Sequence, residues 1–206
     1  MIKKDIFIHP TAVVETKHIG EGTYIGPFCY VSSRVVIGKN CKLMGACSIG
    51  TPAEYKMLSN DEGNSVVIMD NVEIREFVTI NSPATKVTEI GHNCLLMTKS
   101  HVGHDVVLGH DVVLSSGACI GGYSRINNYA YVGLNACTHQ RSSLGAYSIV
   151  GANSFFKGHA PMGITWGGVP AKPIKINMAN ISKNANVDVR DKIIATANEF
   201  ILNFKK

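Results

Sequence analysis

The feature that most narrows what this chain can fold into is a period of six. Counting from Phe7, the residues at every sixth place are Val13, Ile19, Ile25, Val31, Ile37, Leu43 and Ile49, with glycine following Ile19, Ile25, Ile37 and Ile49. After a break the period resumes at Ile68, Ile74 and Ile80. It then runs from Ile90 through Leu96, Val102, Leu108, Leu114, Ile120, Ile126, Val132, Thr138 and Leu144 to Val150, and only Thr138 breaks the apolar rule. A helix repeats near 3.6 residues and a strand near 2, so neither explains six. Six residues that give one short strand and one turn make one side of a triangular coil, and eighteen make a full turn of a parallel β-helix. The branched residue points to the axis and stacks on its counterpart in the next coil, while glycine and asparagine are expected at the tight corners. An ordinary sandwich of short strands would not hold this phase for so long. The first coil near Phe7 and the C-terminal segment are expected to cap the open ends.

Two interruptions mark where the outer surface is elaborated. Residues 50–66 read as a polar, turn-rich loop, and residues 81–89 as a smaller excursion that adds four residues to the expected six. Loops on a rigid scaffold tend to carry binding residues, and Tyr55 and Lys56 in the first are candidates to reach a ligand. After Val150 the repeat decays into what reads as an irregular terminal coil holding Trp166, the chain's single tryptophan. From about Val189 to Phe204 the apolar residues Ile193, Ile194, Ala197, Phe200, Ile201 and Phe204 follow a helical period, with Asp188 available as a cap. The expected organisation is thus an all-β domain over 1–178 and a short helical tail over 179–206.

At 206 residues and 45% hydrophobic, the chain can bury one sizeable core. Its net charge of +5 suits an anionic small-molecule partner such as a phosphorylated substrate. No basic run interleaved with aromatics points to nucleic acid, and Lys205–Lys206 is only a terminal pair. The apolar run after the first lysines is too short for a signal peptide or a membrane span, so a cytoplasmic protein is expected. Six cysteines form no C-x-x-C pair, and no Cys/His spacing matches a zinc site. Cys29, Cys41, Cys47 and Cys94 each fall two residues before an apolar sixth position and read as small core fillers.

Chemistry concentrates in Met97–Leu108, M-T-K-S-H-V-G-H-D-V-V-L, where His101 and His104 lie three residues apart and Asp105 follows at once. A histidine titrates near neutrality and can take a proton from a substrate hydroxyl or amine as a general base. His104, Gly122 and Gln140 are eighteen residues apart, so they stack on the same corner of three successive coils. His104 and Gln140 can then line one groove, with glycine leaving room between them. None of the cysteines is adjacent in sequence to His101 or His104, which makes a covalent thiol mechanism a poor rival.

Hexapeptide repeats of this form resemble the left-handed parallel β-helix acyltransferases, and the handedness is implied by that resemblance alone. I-H-P-T-A-V-V near the start, I-R-E-F-V-T-I-N at Ile74–Asn81, L-L-M-T-K-S-H-V-G-H-D at Leu95–Asp105 and the pair His139–Gln140 are similar to the acyl carrier protein-dependent UDP-N-acetylglucosamine O-acyltransferases of lipid A and lipopolysaccharide biosynthesis. The similarity covers roughly residues 7–178. It implies His104 as general base, His101 in support, Gln140 and His139 against the acyl or sugar part, and Lys56 as a loop lysine near the substrate. Asp105 or a backbone carbonyl would fix the His104 tautomer, and a backbone N–H of the glycine-rich corner would steady the oxyanion. It also implies a homotrimer with sites between subunits, and no bound cofactor beyond the thioester co-substrate. Tyr123 stands beside Gly122 where the family has a further histidine, and the C-terminal helical part is shorter.

Gly168–Lys172 resembles the terminal-coil loop of sugar acetyltransferases that use acetyl-CoA. An acyl-CoA-dependent N-acyltransferase on a nucleotide-linked amino sugar for surface polysaccharide is therefore the alternative. Lys172, Lys175 and Lys183 would suit an acidic carrier or the phosphates of coenzyme A. A third possibility is a zinc protein like the gamma-class carbonic anhydrases, using histidines such as His101, His104, His110 and His139.

Overall fold

A computed structural model describes residues 5–56 and 65–204. The first four residues, the middle of the first loop and Lys205–Lys206 lie outside the described residues. Between them runs a left-handed parallel β-helix with three walls, sheets of ten, eight and six strands, here the first, second and third wall. Most strands are two residues long, the first facing outward and the second inward, as at His101–Val102, Val107–Leu108 and Val113–Leu114. Neighbouring coils pair eighteen residues apart, Glu89 with Val107, Val107 with Arg125 and Arg125 with Ser143. Ile80 pairs with Val102, four residues further, because the smaller excursion is inserted there.

The inward residues of the three walls stack into one core from Ile25 to Phe156, with Ile74, Leu96, Leu108, Leu114 and Ile120 fully buried. Burying each such side chain contributes about 1.5–3 kcal/mol, so the repeat itself supplies the stability of the prism. The inner corners take small residues, among them Cys29, Cys41, Cys47 and Cys94, all buried and none in a disulfide.

The outer corners meet the glycine-and-asparagine expectation in part: Asn40, Asn71, Asn93, Asn135 and Asn153 take the left-handed turn, but bulky and charged residues take it as well. A left-handed backbone recurs every six residues at Asn93, Lys99, Asp105, Asp111, Gly117, Tyr123 and Tyr129. Only one of these seven is glycine. A non-glycine residue there costs roughly 1–2 kcal/mol from the approach of its Cβ to a carbonyl. Its side chain leans away from the core, so its size is unrestricted, and bulky or charged residues are accepted at a modest cost.

The C-terminal segment is more regular than its turn-rich sequence implies. Ile164–Gly168 and Ala171–Ile176 form an antiparallel hairpin that completes the first wall. Two helices follow in place of the expected one. Helix α1, Met178–Asn184, is capped by Asn177, whose side chain accepts from the Asn180 N–H. Asn177 and Asn180 donate to the carbonyls of Tyr147 and Tyr129 at 2.7 and 2.6 Å, pinning α1 to the corner between third and first walls. Helix α2, Val187–Phe204, begins two residues before the expected start, so Asp188 sits within the first turn instead of capping it. There it still complements the helix dipole. Ala197, Phe200 and Ile201 of α2 join the core cluster, and the Trp166 ring lies between Phe156 and Phe200 at 5.1 and 5.8 Å. The helix therefore closes the C-terminal end of its own prism. The described residues barely cover the other end: Phe7 and Val13 remain 48% and 57% exposed.

Candidate active site

The corner after the second wall carries the site, and the repeat explains why. His104 is the second residue past the inward Val102, so its ring stands beside the corner, and Asp105 takes the left-handed turn position. His104 Nδ1 lies 2.9 Å from the Asp105 carboxylate. The smaller excursion wraps over that carboxylate, which accepts the N–H groups of Ala84, Thr85 and Lys86 at 2.7, 3.0 and 2.7 Å and the Thr85 hydroxyl at 2.8 Å. Burial alone would raise its pKa; the donors from His104, Ala84, Thr85 and Lys86 outweigh it and hold the carboxyl below its ordinary value. An ionised Asp105 fixes Nδ1 as the protonated nitrogen and leaves Nε2 with the free lone pair.

Nε2 faces Gly122. A Cβ at residue 122 would lie 2.6 Å from that nitrogen, so only glycine keeps the approach open. The Gly122 N–H donates no hydrogen bond among the described residues. Tyr123 meets the imidazole edge-on with centroids 4.9 Å apart, and the Arg141 guanidinium stacks 4.4 Å above the Tyr123 ring. Tyr55 reaches over from the first loop to 5.5 Å from the His104 ring, while Lys56 is exposed beside it.

His101 stands on the outer column of the second wall, which runs Thr79, His101, Cys119, Cys137, Phe155. Its Nδ1 pairs with the Thr79 hydroxyl at 2.8 Å. Burial pushes its pKa down and His104 adds to this, against the pull of the Glu54 carboxylate. Two coils on, His139 Nδ1 lies 3.0 Å from the Gln140 carbonyl and its ring meets Phe155 edge-on. Gln140 is exposed on the coil beyond Gly122, two steps from His104 along the corner, as the register requires.

Thus His104, Asp105, His101, Gly122 and Tyr123 come together, with Tyr55 above and His139 and Gln140 adjacent. The sequence did not reveal the cradle of Ala84–Lys86, because backbone donors leave no residue signature. It also concealed that Cys119 is the register neighbour of His101, so a thiol is adjacent in space where none is adjacent in sequence. Burial and Cys137 push the Cys119 thiol up, which disfavours it as a nucleophile.

A second His–Asp pair lies one corner on, His110 Nδ1 to Asp111 at 2.7 Å, with Tyr129 edge-on at 4.8 Å. Its side chains are 40% and 35% exposed, against 10% and 2% for His104 and Asp105. Burial and the N–H cradle, not the dipeptide, single out His104. Among the described residues no three His, Cys, Asp or Glu side chains are grouped to hold a metal ion, and no helix is long and apolar enough to cross a membrane. A cavity of about 510 Å³ lies on the first wall beneath α1, lined by Asn93, Asp111, Tyr129, Asn180 and Lys183.

Fold and corner together resemble those of hexapeptide-repeat transferases. The bacterial transferase hexapeptide family (six repeats) matches residues 16–51 and 88–122. Among solved structures, a UDP-N-acetylglucosamine acyltransferase of Francisella novicida superposes with a TM-score of 0.77 at 26% identity, covering 92% of this chain and 78% of its own. A UDP-N-acetylglucosamine O-acyltransferase of Moraxella catarrhalis gives 0.67 at 26%, covering 91% and 82%. The UDP-N-acetylglucosamine acyltransferase of Campylobacter jejuni shares the fold, 0.73 at 24% over 93% and 82%. The chain carries the repeats of that family and is similar in fold to these acyltransferases.

Proposed function

We propose that the chain transfers an acyl group from a thioester, with acyl carrier protein as the favoured donor, to a hydroxyl of a UDP-N-acetylglucosamine-type nucleotide sugar, as in lipid A biosynthesis. The observation that carries this is the His104 imidazole, locked by Asp105 at Nδ1 with Nε2 open over Gly122. A sugar hydroxyl has a pKa far above neutrality and needs a base during attack, whereas a neutral amine does not; so well prepared a base favours the hydroxyl. His104 Nε2 takes the hydroxyl proton as the oxygen attacks the thioester carbonyl. The Gly122 N–H faces the tetrahedral oxyanion. Collapse breaks the carbon–sulfur bond, and the departing thiolate recovers the proton from His104. Asp105 stays ionised throughout and steadies the transient imidazolium. Tyr55, Gln140, His139 and Lys56 lie where they would meet the acyl and sugar parts, and no bound cofactor takes part beyond the thioester. The exposed Lys172, Lys175 and Lys183 offer positive charge to an acidic carrier.

The test is a mass-spectrometric transfer screen. UDP-N-acetylglucosamine and several nucleotide amino sugars are offered with short and long acyl donors on carrier protein and on coenzyme A. O-acyl UDP-N-acetylglucosamine from a carrier-protein thioester is expected. Efficient N-acetylation of an amino sugar from acetyl-CoA, with every carrier thioester inert, would replace the donor and acceptor while keeping acyl transfer.

A further inference from the structure

One pair of reactive side chains has no part in the chemistry above. Cys119 and Cys137 are register partners on adjacent parallel strands, each the outward residue beside a buried Ile120 or Thr138. Both are partly exposed, whereas the other four cysteines are buried. The Cys119 and Cys137 thiols lie near enough to act on each other, and the Glu54 carboxylate acts on both Cys119 and His101, so the first loop passes over the head of this column. Adjacent strands lie about 4.8 Å apart, inside the window of about 4.4–6.8 Å between Cα atoms that a disulfide spans.

We propose that Cys119 and Cys137 form a reversible disulfide on the wall of the His101–His104 groove. Hydrogen peroxide oxidises one thiolate to a sulfenic acid with release of hydroxide, and the second thiol displaces that oxygen as water. In sum two thiols lose two electrons and two protons while one peroxide becomes two waters. Side chains in register on parallel strands run side by side, leaving Cβ atoms about 4.8 Å apart where a relaxed disulfide holds them at about 3.8 Å. The strands must pinch to close the bond. A strained disulfide has a more oxidising potential and is readily reduced, so this pair is built for cycling and not for stability.

Formation of the bond does not depend on the acyltransferase reading; its effect on turnover does. The full chain is treated with a few equivalents of peroxide, remaining thiols are alkylated, and the digest is mapped by mass spectrometry. Expected is a Cys119–Cys137 cross-link with loss of two hydrogens, reversed by dithiothreitol and absent from Cys119→Ser and Cys137→Ser. Sulfinic acid at either residue without the cross-link, or bridging through any other cysteine, overturns the proposal. Acyl transfer measured on the same samples is expected to fall severalfold on oxidation and return on reduction. A chain inactive in both states speaks against the acyl-transfer reading, while the mapping still decides the disulfide.

Discussion

At the scale of single residues, the site works through what surrounds His104. Replacing it in His104→Ala removes the base and is expected to lower turnover about a hundred- to ten-thousandfold with an unchanged circular dichroism spectrum. Gly122→Ala should do much the same by a different route, since its Cβ would crowd Nε2 at 2.6 Å; a fully active Gly122→Ala would show that Nε2 is not the working atom. Asp105 links the site to acid stability. Its folded pKa is held below its unfolded value of about 3.9, so its contribution is complete above that pH and is lost as pH falls through the folded value. His101, pushed down from its ordinary value, adds a loss in the same direction, because below about pH 6.5 the unfolded chain binds its proton first. Urea midpoints from pH 7 to 3 should fall more steeply for the wild type below about pH 4 than for Asp105→Asn. That variant should also be less stable at pH 7 by about 1.5–3 kcal/mol, the scale of one hydrogen bond to a charged group; parallel curves would remove the assignment. Thr138, the one polar inward residue of the long run, buries a hydroxyl with no partner. Thr138→Val keeps the shape and should raise stability by about 1–3 kcal/mol, read from the same denaturation.

At the scale of elements, what was legible in the sequence follows from how each element is specified. The walls are dictated by the column from Ile90 to Val150, one residue in six, and could be placed to the residue. The His104–Gly122–Gln140 corner followed from the same arithmetic. Elements held by backbone groups could not be read: the loop over Asp105 works through N–H donors common to any residue, and α1 is only seven residues long, too short for a periodic signature. The hairpin at 164–176 was hidden by its glycines and prolines, which signal turns equally in regular and irregular chain. Trp166 now has a definite task, joining hairpin, α2 and the last core residue Phe156. Trp166→Ala should cost about 3–5 kcal/mol, and in the intact protein unfolding followed by this single indole should coincide with loss of strand signal. An indole transition at clearly lower urea would show that the cap frays independently of the prism.

At the scale of the whole molecule, a β-helix of this kind is stiff, and a residue on one corner stays on that corner. Along the corner between first and second walls, Phe28, Phe77 and Leu134 are 69%, 57% and 52% exposed. Phe28 and Phe77 also sit in left-handed turns, so a bulky apolar side chain is placed there at a backbone cost with no return inside one chain. Exposed apolar ridges on a rigid edge are where copies of a chain meet. The His104 groove is meanwhile open, bounded by Tyr55 and Tyr123 but roofed by nothing further among the described residues. A neighbouring prism laid along it would supply the missing wall and exclude water from the thioester, strengthening the electrostatics of the base. We propose a homotrimer with three such grooves between subunits. Light scattering on the eluting protein should give three times the 22.2 kDa chain mass. Phe77→Glu, which puts a charge on the ridge across the second wall from His104, should shift the mass toward one chain and reduce turnover together with it. A wild-type protein that elutes as a monomer at full activity would end the proposal, and a monomeric Phe77→Glu that keeps its rate would confine the site to a single chain.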